Sequence, residues 1–325
     1  MFDDNFFEKV HKKRIAVIGD VMLDKFYYAD MKKFSSDAPI PVARVNERKA
    51  SPGGAANVAR CLANLGCSPI LLGFVGNDHN RESLIELLDD CNINYSGLLT
   101  TTLHTTTKVR IISKNHQVFR LDFDDDAHYS DELFESLASH FHDIINRSLD
   151  AVVLADYEKG VLDERFCQFI IKECSNHGTP VIILPYGSNW IKYENADFIT
   201  PNIAKMNRVL LAPIEASDDD ACLAAAHYIR RKFNIKTCLE TRSSYGITLA
   251  SANMSKHFPT KSQLLIDLAG AADAVAAAAT LALAAGLTAA AAAALANIAA
   301  GIVVSQPGSY APTQQDILNS ISDVI

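Results

Sequence analysis

Little in this chain interrupts a fold or marks a special environment. It has 15 glycines and 11 prolines in 325 residues, with no low-complexity linker, no internal repeat and no abrupt change of charge. Positive charge is in deficit: 30 Lys and Arg stand against 38 Asp and Glu, a formal net charge of −8. That balance argues against a partner such as nucleic acid or an anionic membrane, although local basic sites for small phosphates stay open. The seven cysteines form no CxxC pair and no even framework, so they read as reduced, buried thiols of a cytoplasmic protein. Residues 274–304 carry no charge, yet the run is mostly alanine, poor in the Leu, Ile and Phe that drive insertion, and divided at Gly286. Two buried helices are expected there, with no membrane span. The opening MFDDNFFEKVHKKR is too charged for a secretory leader.

What is present alternates. RIAVIGD (14–20), SPILLGFVG (68–76), DAVVLAD (150–156), TPVIILP (179–185) and ADFITPN (196–202) are short apolar runs of the kind found in buried parallel strands. Amphipathic stretches at 54–65, 80–90, 131–146, 163–176 and 217–232 lie between them. The spacing predicts an α/β fold, a mostly parallel sheet covered by helices on both faces. Gly19-Asp20, Gly76-Asn77-Asp78, Asp156 and Asn202 fall at strand ends and should converge on one edge, where such sheets bind ligands. KFYYADMKKF with IPVARVNER, and the hairpin 107–124 with its Lys-Asn turn, break the rhythm. They suggest a small antiparallel sheet, either a lid over the strand-end site or an extension of the main sheet.

Three segments carry the chemistry. LLIDLAGAADAVAAAA (264–279) leads from an apolar run through a small-residue turn to Asp273 at the start of a helix. Asp273 is either a base at a helix N-terminus or an ordinary capping acid. SPGGAANVARCLANLG (51–66) places Gly53 and Gly54 before a helix carrying Asn57, where a ligand can approach the backbone closely. GDVMLD (19–24) sets Asp20 and Asp24 after the first strand, as acceptors for sugar hydroxyls or as turn caps.

Taken in order, GDVMLDKFYYADMKKFSSDAPIPVARV, PGGAANVA, RIISKNHQVFRLDFD, DYEKGVL, ITPN and GAAD resemble the ribokinase-like (PfkB-type) carbohydrate kinases from about residue 10 to 317. Within that family the first three are most similar to the heptose 7-phosphate kinase branch, in the form without a fused adenylyltransferase domain. The resemblance implies one kinase domain over 1–325. It would be a three-layer fold with lid strands inserted within about 25–47 and 105–124. It implies ATP-dependent phosphorylation of the anomeric hydroxyl of D-glycero-D-manno-heptose 7-phosphate, with Mg²⁺ and in some members a monovalent cation. Asp273 would be the catalytic base, and Gly270, Ala271 and Ala272 the anion hole. Asp20, Asp24, Gly53, Gly54 and Asn57 would bind the sugar. Lys108, Arg110, Asn115 and Arg120 would grip its phosphate. Asn202, Lys205, Thr241, Ser243, Gly246 and Asn297 would hold the nucleotide. Exposed Phe26, Tyr27, Tyr28, Ile40 and Val42 on the lid would pair two copies as a homodimer.

The departures gather on the nucleotide side. The family's Asp-Thr-x-Gly-Ala-Gly-Asp reads Asp267-Leu268-Ala269-Gly270-Ala271-Ala272-Asp273, so alanine takes the last glycine position. Its Asn-x-x-Glu acid is replaced by Lys205, its Asp-Pro-Lys-Gly by Leu184-Pro185-Tyr186-Gly187, and VSQPGS (304–309) has no lysine. Two readings are compatible with this pattern: an active kinase with a modified anion hole, or a catalytically weak homologue that binds sugar phosphate as a regulator or partner subunit. Twenty of the thirty-two residues from 269 to 300 are alanine, which favours close helix packing and leaves small side chains around the adenine.

Overall fold

The computed structural model describes residues 2–114, 116–126, 128–260 and 265–322. After helix α1 (Asp4–Val10), strand β1 (Arg14–Gly19) enters the core, and β2 (Val21–Phe34) and β3 (Pro41–Gly54) form a long antiparallel pair ahead of α2 (Ala55–Asn64). Next come β4 (Ser68–Val75), α3 (His79–Asp90), β5 (Asn94–Thr100) and the hairpin β6 (Thr107–Ser113) and β7 (His116–Phe123). Alternation resumes with α4 (Asp131–Ile145), β8 (Ala151–Ala155), α5 (Glu164–His177), β9 (Val181–Leu184), β10 (Phe198–Ile199), α6 (Ile203–Met206) and α7 (Asp219–Lys232). Strands β11 (Thr237–Thr241), β12 (Ile247–Ser251) and β13 (Ser255–Phe258) precede α8 (Ala271–Ala284), α9 (Ala289–Val304) and α10 (Gln314–Ser322).

The main sheet runs β13-β12-β11-β10-β9-β8-β1-β4-β5, parallel from β11 to β5, with β12 and β13 antiparallel at one edge. Why β1 is apolar from Ile15 to Ile18 is visible in its packing. Ile15 and Val17 enter one hydrophobic layer, with α2, α8 and α9, while Ala16 and Ile18 enter the other, with α4, α5 and α7. A strand covered on both faces has no side left for polar residues. The uncharged run divides as expected into α8 and α9 around Gly286, whose φ is +79°. Among the described residues no helix is long and apolar enough to cross a membrane. The antiparallel edge formed by β11 to β13 had no counterpart in the sequence reading. All seven cysteines are free, six of them buried, and burial pushes the thiols of Cys61 and Cys67 up to about 12.

The second sheet, β3-β2-β6-β7, stands apart from the main one, which favours the lid over the edge extension. It is not wholly antiparallel: β2 and β6 pair in parallel. Both strands leave the main sheet at its strand-end edge, so they run outward in the same direction. The register makes this sheet two-faced. Asp24, Lys108 and Asp122 lie in one cross-strand row and Phe26, Arg110 and Arg120 in the next, all on one face. Lys25, Val109 and Leu121, then Tyr27, Ile111 and Phe119, occupy the other. Phe26 is not exposed as expected. It is buried, with the Arg110 guanidinium 5.4 Å from its ring centre. Tyr27 and Tyr28 are half-buried beneath Arg48 and Lys49, whereas Ile40 and Val42 are exposed.

Glu240 is a buried acid in the core. It sits on β11 opposite Thr248 of β12, is fully buried, and neither carboxyl oxygen has a hydrogen-bond partner among the described residues. Burial pushes its pKa up to about 8. The folded state therefore holds a proton that the unfolded chain releases above its ordinary carboxylate range, so the Glu240 contribution to stability is greatest at acid pH and is lost as pH rises through 8. Glu240→Gln should flatten that decline, matching the wild-type melting temperature near pH 5 and exceeding it by several degrees at pH 9. Parallel melting curves for the two proteins across this range would remove Glu240 as the source.

Candidate active site

The strand-end edge assembles the site. Gly19 ends β1 and Asp20 follows it, Asp156-Tyr157 follows β8, Tyr186 follows β9, Asn202 follows β10 and Thr241 ends β11. At its centre lies Asp273, in the first turn of α8 and 8% exposed. The Asn57 amide donates to its Oδ2 at 2.6 Å, and the Tyr157 hydroxyl donates to its Oδ1. Asp273 is thus no ordinary capping acid, because its side chain reaches α2 and the loop after β8. Desolvation raises its pKa. The hydrogen bonds from Asn57 and Tyr157 and the nearby charge of Lys205 pull it back, and Asp24 adds to the rise.

The amide of Asn57 is aimed by a second contact. Arg60, one turn along α2, donates to Asn57 Oδ1 at 2.7 Å, which fixes Nδ2 as the group facing Asp273. The same guanidinium also donates to the Ser309 carbonyl, tying α2 to the segment after α9. Sequence reading missed Arg60 and Tyr157, although they lie inside the quoted segments SPGGAANVARCLANLG and DYEKGVL. The signal for Arg60 was its i+3 spacing from Asn57. Tyr157 had no local signal, since its reach to Asp273 depends on how the sheet is wound.

Asp20 takes a different position from the one expected of a sugar acceptor. Its carboxylate accepts the backbone N–H groups of Tyr157 at 2.7 Å, Lys159 at 3.1 Å and Val161 at 3.2 Å. Burial nevertheless pushes its pKa up to about 6, with the charge of Asp156 adding to the rise. It shapes the loop that presents Tyr157. Asp24 faces the site and accepts from Arg110 at 2.7 Å. Gly53 makes room for it, because a Cβ there would stand 2.9 Å from the Asp24 carboxyl carbon. Gly54 has φ +57°, and a Cβ would meet the Asp20 carbonyl at 2.3 Å. Ser51, opposite Asp24 on β3, is buried with its hydroxyl unpartnered among the described residues, a polar group that sequence reading passed over.

On the charged face of the lid, Lys108 and Arg120 share Asp122, at 3.6 and 2.8 Å, and Arg110 joins Asp24. Three cations thus meet two carboxylates beside the site. Asn115 lies outside the described residues. On the other side of Asp273 a cavity of about 330 Å³ is lined by Asn202, Thr241, Ser243, Gly246 and Asn297 together with Ala271 and Ala272. The nucleotide residues expected from sequence are thus brought together, Lys205 excepted, which sits one turn beyond Asn202 and nearer Asp273. Two side chains frame the cavity: Asn202 caps α6, and Asn297 donates to the Pro259 carbonyl at 2.8 Å. Small residues form much of the wall, as the alanine density suggested. At the head of α8 the Ala271 N–H turns back to the Leu268 carbonyl, while those of Gly270 and Ala272 have no protein acceptor among the described residues.

Comparison with known proteins agrees with this geometry. Residues 12–316 match the pfkB family carbohydrate kinase profile. The bifunctional protein HldE of Shewanella piezotolerans is 36% identical over 315 residues, 96% of this chain and 64% of that protein. HldE of Methylobacillus flagellatus is 36% identical over 296 residues, 91% of this chain and 60% of that protein. The chain thus spans under two thirds of these relatives. Among solved structures, phosphofructokinase-2 from Escherichia coli in complex with potassium superposes with a TM-score of 0.80 at 17% identity, covering 96% of this chain and 98% of that one. Arabidopsis thaliana ribokinase complexed with ribose and ATP gives 0.73 at 18% identity, covering 95% and 98%. The fold is ribokinase-like: a mostly parallel sheet between helices, with a smaller second sheet.

The alanine at position 272 is explained by local backbone. Gly270 has φ +81° and forms the N-cap of α8, whereas Ala272 is helical and needs no glycine. The two positions should therefore differ in their response to exchange. Gly270→Ala should cost roughly 1–2 kcal/mol, with its Cβ 3.1 Å from Asn57 Nδ2. Ala272→Gly should cost at most about 1 kcal/mol through helix propensity alone. Denaturant titration of both variants reads the difference, and equal losses would contradict the helical assignment of Ala272.

Proposed function

The chain belongs to the pfkB family of carbohydrate kinases, and from that premise we propose that it uses ATP to phosphorylate the anomeric hydroxyl of D-glycero-D-manno-heptose 7-phosphate. The product would be heptose 1,7-bisphosphate, for ADP-heptose and lipopolysaccharide core synthesis. The observation that carries this reading is the buried Asp273 carboxylate, held by Asn57 and Tyr157 between the charged lid face and the cavity.

In this reading the sugar lies between Asp24, Gly53, Gly54 and Asn57, and Ser51 supplies a further hydroxyl contact. Lys108, Arg110 and Arg120 exchange their present carboxylate partners for the 7-phosphate. The nucleotide fills the cavity with its terminal phosphate at the head of α8. The anomeric oxygen attacks the terminal phosphorus and its proton passes to Asp273. The bond to the leaving diphosphate breaks, and the N–H groups of Gly270 and Ala272 hold the charge of the transferring group. Asp20 acts on the loop and not on the sugar. A second copy would cover the apolar lid face, where Val118, Phe119 and Leu121 are exposed. Magnesium would arrive coordinated to the nucleotide. Lys205 puts an ammonium where a carboxylate would help to hold the metal, so the residues present here fit a protein-held divalent cation poorly.

The decisive assay is coupled ADP release with ATP and heptose 7-phosphate. Asp273→Asn should lower kcat by about 10³-fold while sugar phosphate still binds. Absence of turnover in the wild type, with sugar phosphate binding intact by calorimetry, would instead assign a non-catalytic binder. The pH profile adds a second test. Asp273 must be ionised to accept the proton and its pKa is raised, so activity should fall on the acid side at a pH above the ordinary carboxylate range. Tyr157→Phe removes a hydrogen bond to the charged form and should move that acid limb to still higher pH. An unmoved limb would detach Tyr157 from the base.

A further inference from the structure

Lys205 carries a charge that no carboxylate claims among the described residues, and its assignment rests on the kinase reading. It sits in the short helix α6, where its N–H donates to Asn202 Oδ1 at 2.8 Å. Its ammonium lies 5.5 Å from the centre of the Tyr186 ring, which the Arg208 guanidinium also covers at 5.2 Å. Among the described residues it enters no ion pair. The charges that reach it are Asp273 on α8, Asp156 after β8 and Arg208 in its own loop. Both carboxylates are engaged elsewhere, Asp273 by Asn57 and Tyr157, Asp156 by Lys192 and Tyr193.

An ammonium withdrawn from water beside carboxylates with other partners is relieved when an anion arrives. Here desolvation outweighs both carboxylates and pushes the pKa of Lys205 down to about 8. Its position says which anion. Asn202, on the same turn, lines the nucleotide cavity, and the head of α8 with its free N–H groups stands beside it.

We propose that Lys205 is the fixed counter-charge for the terminal phosphates of the nucleotide, taking over at this end of the site the neutralising role of a protein-held divalent cation. As the oxygen–phosphorus bond to the sugar forms and the bond to the leaving diphosphate breaks, the proton goes to Asp273. Lys205 keeps its own proton and balances the charge growing on the diphosphate. The nucleotide then binds to this site nearly as well without magnesium as with it.

Calorimetry with ATP in EDTA and ATP with Mg²⁺ tests this without requiring turnover. The wild type should bind the two forms within about 3-fold of each other. Lys205→Met should weaken metal-free ATP by about 10-fold or more. Lys205→Glu should bind ATP only with magnesium in excess. Affinity of the wild type for metal-free ATP should fall as pH rises from 7 through 8 to 9.5, and that of Lys205→Met should stay flat. Ligand-free Lys205→Met should melt no earlier than the wild type, because an unpaired cation is being removed; earlier melting would make Lys205 a structural residue and overturn the proposal. Equal binding of metal-free ATP by wild type and Lys205→Met would overturn it while leaving the kinase reading intact. A wild type that binds ATP in neither form would overturn both.

Discussion

The tie between Asn57, Asp273 and Tyr157 is the constraint on which the rest of the site depends. These residues come from three elements that are distant in sequence: α2, the head of α8 and the loop after β8. A buried carboxylate is costly unless its oxygens are hydrogen-bonded, so the fold must bring two donors to one acid. Each donor is in turn held from behind. Arg60 fixes the Asn57 amide, and Asp20 fixes the backbone that carries Tyr157. The arrangement sets two opposed influences on Asp273: burial raises its pKa, and the bonds from Asn57 and Tyr157 lower it.

From that centre the division of labour follows the sheet. Parallel strands end together, so their loops crowd one edge, and the two strands that continue past it become a lid. Because β2 starts directly after Asp20, the lid is anchored at the same point that shapes the Tyr157 loop. Pleating then sorts its residues, placing Asp24, Lys108, Asp122, Arg110 and Arg120 on one face and Val109, Leu121, Ile111 and Phe119 on the other. The second sheet and Asp273 are thus joined through Asp24, whose charge reaches Asp273.

Much of this was legible in the sequence, and the reasons differ by element. The apolar runs of β1, β4, β8 and β9 announced themselves because strands covered on both faces admit no polar residue. The division of the alanine run was readable at Gly286, since a glycine between two helical stretches is a strong local signal. Asp273, Asn57 and the glycine pair were found through motif resemblance. What escaped was set by three-dimensional packing. Asp20 could not be told from Asp24 in GDVMLD, as only the winding of β1 against β8 points the first at backbone N–H groups. Phe26 read as exposed because the arginine that lies over it comes from a strand more than eighty residues away. That Glu240 has no hydrogen-bond partner among the described residues is a property of what fails to reach it, which no local pattern encodes.

The alanine layer formed by α8 and α9 has a consequence beyond close packing. Alanine has no side-chain rotamers to freeze, so ordering this layer carries almost no side-chain entropy and leaves almost no alternative rotamer states once ordered. The helix that carries Asp273 therefore rests on a surface with few rotamers to exchange, most of them at Leu281, Leu295 and Leu62. In a core of leucine and methionine, thermal hopping among rotamers would let a helix shift by small amounts. Here fewer side-chain coordinates are soft, and the Asp273 carboxylate is carried on a comparatively stiff support.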